Sequence, residues 1–445
     1  MIMEKVDETV IVTALPSIAL DLGEDPIALK LALTSYFVSL ACFIPVSGWM
    51  ADQFGARNIF RAAIGVFMSG SILCGLSNSL GHFVAARFLQ GIGGAMMMPV
   101  GRLIISRSVS KSEWVQALSY LTIPALMGPI IGPPLGGLIT AFLNWRWIFF
   151  INVPVSLLGI ALATHYFKHL EKHEAAPLDL IGALLLAPGL SALMFGVATA
   201  GRHLVSLQLS LAIFGMGAVL MWTYLKHAKR TVHPLLDFSL LRVQTFRASV
   251  LGGFFFRVGL GALPFLLPLL LQLGFGMNPL HSGLLTCAGA AGAWLVKFVA
   301  PTILRRFGFR SVLTVNIALV SLSIAAIAGF TAHTPYAVML AILLAGGCFR
   351  SLQFTSLNAL AYAEIRSGRI GAATSFESVV RELALGTGVT VGAFILQISS
   401  FIQGHRALVV QDFWPAFIAV GLITLASIGY SLRLPKDAGD EIAGR

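Results

Sequence analysis

The chain of 445 residues is strongly apolar, with 57% hydrophobic residues, 11% charged residues and a mean hydropathy of +0.86. So few charged residues cannot cover a soluble core with polar surface, which excludes an ordinary soluble protein. The net charge of +11 does not indicate nucleic-acid binding, because the basic residues lie in short connections between apolar runs. We therefore predict an all-α polytopic membrane protein.

The apolar runs are about 18–25 residues long and continuous, which fits membrane helices rather than barrel strands of about 10 residues. Alternate connections are rich in Lys and Arg, which predicts that both termini face the cytoplasm. The first run is short, so we expect its helix to be truncated at the N-terminus by a start that lies inside it. The sequence predicts fourteen transmembrane helices, near residues 6–22, 31–51, 59–77, 82–106, 115–140, 147–167, 179–199, 207–226, 248–273, 282–304, 311–330, 336–361, 371–400 and 413–432.

An internal repeat predicts two similarly built halves. The stretch "GWMADQFGAR" begins at Gly48 and "PTILRRFGFR" begins at Pro301, and each closes one apolar run before another starts. The predicted parts are an N-terminal six-helix bundle at 1–170, a linker with two inserted helices at 171–240, a C-terminal six-helix bundle at 241–435 and a cytoplasmic tail at 436–445.

Five motifs occur in chain order: "DETVIVTALP" from Asp7, "GWMADQFGAR" from Gly48, "RFLQGIGGA" from Arg87, "GPIIGPPLGG" from Gly128 and "WRWIFFINVP" from Trp145. Together they resemble the major facilitator superfamily, specifically its fourteen-helix drug:proton antiporters. The stretch "GGAMMMPVGRL" more narrowly resembles multidrug exporters of the MdtD type. The resemblance implies two six-helix bundles around a central cavity that opens alternately to each side.

Asp7 is the leading candidate for proton exchange, with Glu8 as a second candidate. Asp7 precedes the outer acid Asp21 by 14 residues, which places it roughly 21 Å below that boundary in a bilayer of about 30 Å. Burial and water access shift a carboxylate between its protonated and ionised forms. The alternative is an acid with a purely structural role.

Arg87 lies inside the fourth span, near Gln90, and an unpaired charge in hydrocarbon is costly. We therefore expect Arg87 to face a cavity or an acid, and Asp7 is its predicted partner. Their depths differ by roughly 10 Å at a rise of 1.5 Å per residue, which leaves direct contact open.

Gly128, Gly132 and Gly136 recur every fourth residue, so they share one helix face on which a neighbouring backbone can approach closely, while Pro129 and Pro133 bend the span. We interpret this face as a hinge at which the bundles rock. Tight packing without a gating role is the alternative.

The first copy of the repeated loop holds the gating candidates. Gly48 and Gly55 permit a tight turn, across which Asp52 and Arg57 can form a charge pair that differs between conformers. The resemblance implies that this pair is a gating latch. Gln53 and Ala56 stand where the family usually has basic residues, and Arg305 replaces the acid in the second copy. We therefore expect a weakened latch, with solvated loop charges as the alternative.

Charged side chains inside the second-half spans have two interpretations. They form either a cavity that attracts an anionic substrate or structural ion pairs with Glu377 and Glu382, in which Glu377 and Arg381 at i and i+4 share a helix face. The substrate-cavity candidates are Arg257, Lys297, Arg350, Gln353, Glu377 and Arg381.

No metal site and no cofactor are predicted. His165, His169 and His173 recur every fourth residue, and we interpret them as polar residues at the cytoplasmic end of the sixth span. A metal-binding face is the alternative interpretation.

The predicted function is proton-coupled export of small lipophilic compounds by a monomer in a bacterial inner (plasma) membrane. Its partners are the small-molecule substrate, protons and the lipid bilayer, without nucleic acid. The absence of a GxxxxGK[ST] motif favours an ion gradient over ATP, and no HExxH or GxSxG set suggests an enzyme. The alternatives are export of a small organic anion, such as a carboxylate or a metal chelate, and a channel or sensor.

Overall fold

The computed structural model describes residues 2–108, 114–167, 177–199, 206–232, 234–366, 369–405, 407–435 and 437–439, together with their side chains except those of 106–108 and 114–126. Over these residues the chain contains helices and connections but no strand.

Ten helices precede residue 230: α1 Ile2–Val10, α2 Leu15–Leu22, α3 Lys30–Phe54, α4 Ala56–Gly75, α5 Leu80–Ser108, α6 Trp114–Phe142, α7 Trp147–Phe150, α8 Asn152–Tyr166, α9 Leu180–Thr199 and α10 Leu207–Ala228. Nine follow it: α11 Gln244–Arg247, α12 Gly253–Leu269, α13 Pro279–Leu295, α14 Ala300–Phe307, α15 Phe309–Ile327, α16 Tyr336–Tyr362, α17 Ile370–Gln403, α18 Val410–Leu425 and α19 Ile428–Ser431. The chain is therefore all-α, as the sequence predicts.

The fourteen predicted spans are confirmed in part. Among the described residues, eleven helices are long and apolar enough to cross a membrane, or twelve if Pro279–Phe298 and Ala300–Phe307, bent by 58°, form one span. The remaining predicted spans correspond to α1 with α2, which a 3₁₀ turn at Ile11–Ala14 separates, and to α6, whose apolar part Met127–Phe142 is shorter.

The chain divides into two compact units. The first comprises Met1–Gly132 and Phe142–Leu236, and the second comprises Pro133–Ala141 and Asp237–Arg445. The two helices that the sequence predicts as an insertion, α9 and α10, group with the first unit. There α9 packs against α3, and the Cys42 thiol donates to the carbonyl of Ala187 at 3.3 Å.

Side chains cap the N-termini of two helical segments. The Asp25 side chain accepts from the backbone N–H of Ile27 at 2.7 Å, just before the turn that leads into α3. Asn278 accepts from the N–H of His281 at 2.8 Å, and Pro279 follows it at the first position of α13. These caps satisfy backbone donors that the first helical turn leaves free.

Both copies of the internal repeat form the same sharp helix-to-helix turn. Gly55 joins α3 to α4 with φ of 90°, and Gly308 joins α14 to α15 with φ of 75°. A side chain is strained at such φ values, so glycine is required at these two positions for a backbone reason.

We expect Gly55→Ala to lower the stability of the folded protein by about 1–3 kcal/mol, because alanine rarely adopts this backbone conformation. Steric clash contributes little, since the nearest atom to an added Cβ is Asn58 Nδ2 at 3.9 Å. Thermal unfolding in detergent micelles measures the effect.

Gly65→Ala in α4 is the matched control, because an added Cβ there meets no atom within 4 Å and the backbone is helical. This control should unfold at the same temperature as the unmodified chain or higher. Equal unfolding temperatures for Gly55→Ala and Gly65→Ala would contradict the requirement for glycine in the turn.

Candidate functional site

The first helix buries a charged face. The buried residues of α1 are Met3, Glu4, Asp7 and Val10, which lie on one face of the helix. Asp7 is 0% exposed and Glu4 is 4% exposed. A carboxylate so far from water needs donors within the protein, because burying an isolated charge is very costly.

Arg87 provides the charge that Asp7 requires. Its Nη1 lies 2.7 Å from Asp7 Oδ2, and both side chains are at most 1% exposed. The sequence alone leaves the contact between Asp7 and Arg87 open, because their predicted depths in the membrane differ by roughly 10 Å. Helix α5 begins at Leu80, two residues earlier than predicted, so Arg87 lies about 3 Å further from the start of its helix than expected, and its long side chain reaches Asp7.

Two amide side chains complete the shell of Asp7. Gln90 Nε2 donates to Asp7 Oδ1 at 2.9 Å, and Asn152 Nδ2 donates to the same oxygen at 2.7 Å. Gln90 also accepts from Arg87 and donates to Ser71 Oγ at 2.7 Å. The carboxylate thus accepts hydrogen bonds from three side chains, one of them charged.

The guanidinium of Arg87 also lies over an aromatic ring. Its Cζ is 4.4 Å from the centroid of the Tyr36 ring, within the range of a cation–π interaction. Side chains from α1, α3, α4, α5 and α8 therefore meet around one buried ion pair. We call Asp7, Ser71, Arg87, Gln90 and Asn152 the Asp7 network.

Sequence reasoning missed Ser71 and Asn152. Asn152 lies in "WRWIFFINVP", a stretch quoted for its family resemblance, and an amide in an otherwise apolar run is the signal that could have identified it. Ser71 carries no comparable signal, because a serine in a helix often bonds only to its own backbone.

The glycine face of α6 packs directly against α1. A Cβ at Gly128 would lie 2.6 Å from Cβ of Lys5, and one at Gly132 would lie 2.0 Å from Oγ1 of Thr9. Thr9 Oγ1 also donates to the carbonyl of Gly128 at 3.3 Å. The predicted close approach is therefore present at these two glycines, against the helix that carries Asp7.

Other hinge and gating candidates have fewer described contacts. The Gly136 carbonyl accepts from Thr140 within α6. Arg57 donates to the carbonyl of Thr164 near the end of α8, and a Cβ at Gly48 would meet no atom within 4 Å. The gating pair of Asp52 with Arg57 stays a prediction, as does bending at Pro129 and Pro133.

In the second unit, Glu377 forms the centre of an ion-pair cluster. Its Oε1 accepts from Arg257 Nη2 at 2.6 Å, and its Oε2 accepts from Arg381 Nη1 at 3.2 Å. Arg381 also lies 3.0 Å from Glu382. Arg257 donates in addition to Asn358 Oδ1 at 3.2 Å. Arg257 and Arg381 are therefore neutralised within the protein.

The remaining cavity candidates, Gln353, Lys297 and Arg350, lie outside this ion-pair cluster. Gln353 accepts from Asn316 Nδ2 at 2.9 Å, so its amide is already used within the unit. Lys297 donates to Thr355 Oγ1 at 2.7 Å, and the half-buried Arg350 has no acidic partner among the residues that the structure describes. Glycines leave room for its guanidinium, since a Cβ at Gly289 would lie 2.9 Å from Nη2.

Of the three histidines, His165 is exposed at the end of α8, where its ring contacts Tyr166 edge to face. His169 and His173 lie outside the described residues. A metal-binding histidine face therefore stays untested.

A polar pair outside the spans joins two segments of the second unit. Arg369, at the start of α17, contacts the carboxylate of Asp237 at 2.5 Å, and Ser239 lies beside them. Partial burial raises the pKa of Asp237, but hydrogen bonds from Ser239 and Arg369 outweigh it and hold the pKa below its usual value.

Comparison with known proteins places this site in a family. The model of the Major Facilitator Superfamily matches residues 2–232. The "Putative multidrug resistance protein MdtD" of Salmonella heidelberg (strain SL476) is 38% identical over 408 residues, which cover 91% of this chain and 85% of that protein. The protein of the same name from Citrobacter koseri is 37% identical over 412 residues, with the same coverage.

Solved structures agree at the level of the fold. A D-xylose–proton symporter superposes with a TM-score of 0.71 at 14% identity, covering 98% of this chain and 96% of that chain. The human organic anion transporter MFSD10 superposes with a TM-score of 0.61 at 16% identity, covering 97% and 96%. The chain therefore belongs to the major facilitator superfamily and is a membrane transporter rather than an enzyme.

Proposed function

We propose that this transporter exports small lipophilic compounds in exchange for protons, as a monomer that works by alternating access. We place it in the inner membrane of a bacterium with both termini in the cytoplasm. The names of its MdtD relatives support drug efflux, and the basic residues of the predicted inner connections support the orientation.

The Asp7 network is the observation that supports the proposed proton coupling. In this conformer the carboxylate of Asp7 is fully buried, away from water, and bound by Arg87, Gln90 and Asn152. A conformer in which water replaces Arg87 would allow Asp7 to take up a proton. Protonation would then remove the charge that attracts Arg87, so proton binding and conformation become linked.

Asp7→Asn should abolish proton-driven uptake of a lipophilic cation by everted membrane vesicles. It should also destabilise the protein by about 3–5 kcal/mol, because Arg87 would remain buried without a counter-charge. A dye-quenching assay measures uptake, and thermal unfolding of the purified variant in micelles measures stability.

The double variant Asp7→Asn with Arg87→Gln separates folding from coupling. Removing both charges should recover most of the lost stability, while proton-driven uptake should stay absent. Proton-driven uptake by the double variant would show that Asp7 has only a structural role.

Asp21→Asn is the matched control, because Asp21 forms an ion pair with Arg146 at 2.5 Å whose side chains are 39% and 23% exposed. Breaking an exposed pair should cost no more than about 1 kcal/mol and should leave uptake unchanged.

A second candidate function is export of a small organic anion. Its support is the charge balance of the second unit, where Lys297 has a hydroxyl partner and Arg350 has no acidic partner among the described side chains. A cation without a counter-ion inside a span is costly unless it binds an anion. Apolar and aromatic residues nearby, such as Phe354, favour a lipophilic ligand instead.

Labelled tricarboxylate and a lipophilic cation, offered to the same vesicles, distinguish the two candidates. If an organic anion is the substrate, Arg350→Gln should raise its KM by about tenfold or more, since a hydrogen bond to a charged group contributes about 1.5–3 kcal/mol. If a lipophilic cation is the substrate, the same variant should leave its KM unchanged or lower it.

A further inference from the structure

The guanidinium of Arg87 is attached to the Asp7 network through a single nitrogen. Among the described residues, Nη1 donates both hydrogen bonds of this side chain, to Asp7 Oδ2 at 2.7 Å and to Gln90 Oε1. Nε is buried and has no hydrogen-bond partner there. Arginine often binds a carboxylate through two nitrogens, which fixes the plane of the guanidinium. Attachment through one nitrogen leaves that plane free to rotate unless another contact holds it.

The ring of Tyr36 provides such a contact. Arg87 Cζ lies 4.4 Å from the ring centroid, and both side chains are 1% exposed. A cation over a ring face is attracted most strongly when both groups are removed from water. Stacking on a flat ring also limits the rotation of a flat guanidinium. Tyr36 therefore restricts the one movement of Arg87 that the bonds from Nη1 allow.

Two glycines of α5 make room for Tyr36. A Cβ at Gly91 would lie 2.9 Å from the backbone oxygen of Tyr36, and one at Gly94 would lie 3.0 Å from its hydroxyl oxygen. Both glycines belong to "RFLQGIGGA", the motif that also supplies Arg87 and Gln90. The motif therefore places the cation and the space for the aromatic side chain on the same helix.

The hydroxyl of Tyr36 does not explain the position of this side chain. It is buried and has no hydrogen-bond partner among the described residues, although buried hydroxyl groups normally have one. The ring, rather than the hydroxyl, is thus the part of Tyr36 that contacts Arg87.

The second candidate for proton exchange, Glu8, does not bind Arg87. Its carboxylate lies 2.6 Å from Lys5 Nζ, and its side chain is 18% exposed. Within the described part of the chain, Asp7 is the acid that forms an ion pair with Arg87. The position of Arg87 therefore depends on Asp7, Gln90 and Tyr36.

We propose that Tyr36 is a positioning residue for proton coupling, whose ring holds the guanidinium of Arg87 in the orientation in which Nη1 binds Asp7. This rests on the proposed proton-coupled export, in which Arg87 leaves Asp7 when Asp7 takes up a proton. When Asp7 releases that proton, Arg87 must return to it. A guanidinium that stays stacked on Tyr36 returns faster than one that is free to rotate.

Fluorinated phenylalanines at Tyr36 test the ring directly. Each fluorine withdraws electron density from the ring face and weakens its attraction for a cation, while the shape of the ring changes little. Tyr36→Phe is the reference, and mono-, di- and trifluorophenylalanine complete the series. The assay is uptake of tetraphenylphosphonium, a lipophilic cation, under a pH gradient by proteoliposomes that contain the purified full chain.

The turnover number should fall with each added fluorine, by about tenfold over the series, while KM stays constant because the ring acts through Arg87. The matched control is the same series at Phe67, a fully buried ring of α4 with no cation over it among the described side chains, where the turnover number should not change. A constant turnover number at Tyr36, an equal decline at Phe67, a rise in KM alone or a Tyr36→Phe variant without transport would overturn the proposal.

Thermal unfolding in micelles tests the contact without transport. Tyr36→Leu should lower the unfolding temperature more in the wild type than in the double variant Asp7→Asn with Arg87→Gln, which lacks the cation. If no protein of the series transports the probe but this difference is found, proton-coupled export fails while Tyr36 still holds Arg87. Equal losses in the two backgrounds would show that the ring only fills space.

Discussion

The ion pair between Asp7 and Arg87 is the constraint on which the first unit depends. Two fully buried charges in an apolar protein are stable only when each has a close counter-charge and further hydrogen bonds. Gln90 and Asn152 supply those bonds to Asp7, and Tyr36 covers Arg87. The requirement brings five helices to one point. A transporter can use such a point, because changing one charge alters the balance of all its contacts.

The second unit balances its charges differently. Glu377 is shared by Arg257 and Arg381, and Arg381 also binds Glu382, so this cluster is neutral. Lys297 and Arg350 stand apart from it. No acid among the described side chains of the second unit forms an ion pair with Lys297 or Arg350. Such cations suit either recognition of negative charge or simple positioning of the helices.

Small residues connect the Asp7 network to the rest of the first unit. Gly128 and Gly132 let the backbone of α6 lie directly against α1, at Lys5 and at the side chain of Thr9. A larger residue at either glycine would push the two helices apart. A movement of α1 against α6 would change the distance between Asp7 and its donors, since Asp7 lies on α1 and its donors lie on α5 and α8.

The sequence by itself determined the class of the protein, most of its helices, the repeated glycine turns and the family. These features depend on local rules: apolar runs form membrane helices, a positive φ requires glycine, and motifs occur in order along the chain. Only the tertiary structure decided that Arg87 reaches Asp7, that Ser71 and Asn152 join them, that Gln353 is used by Asn316, and that Arg257 is paired while Arg350 lacks an acid among the described residues. Those contacts join residues as far as 145 positions apart. Hydropathy gives the depth of a side chain only to within a few residues, and it does not give the direction in which the side chain points. A hydrogen bond depends on both the depth and the direction.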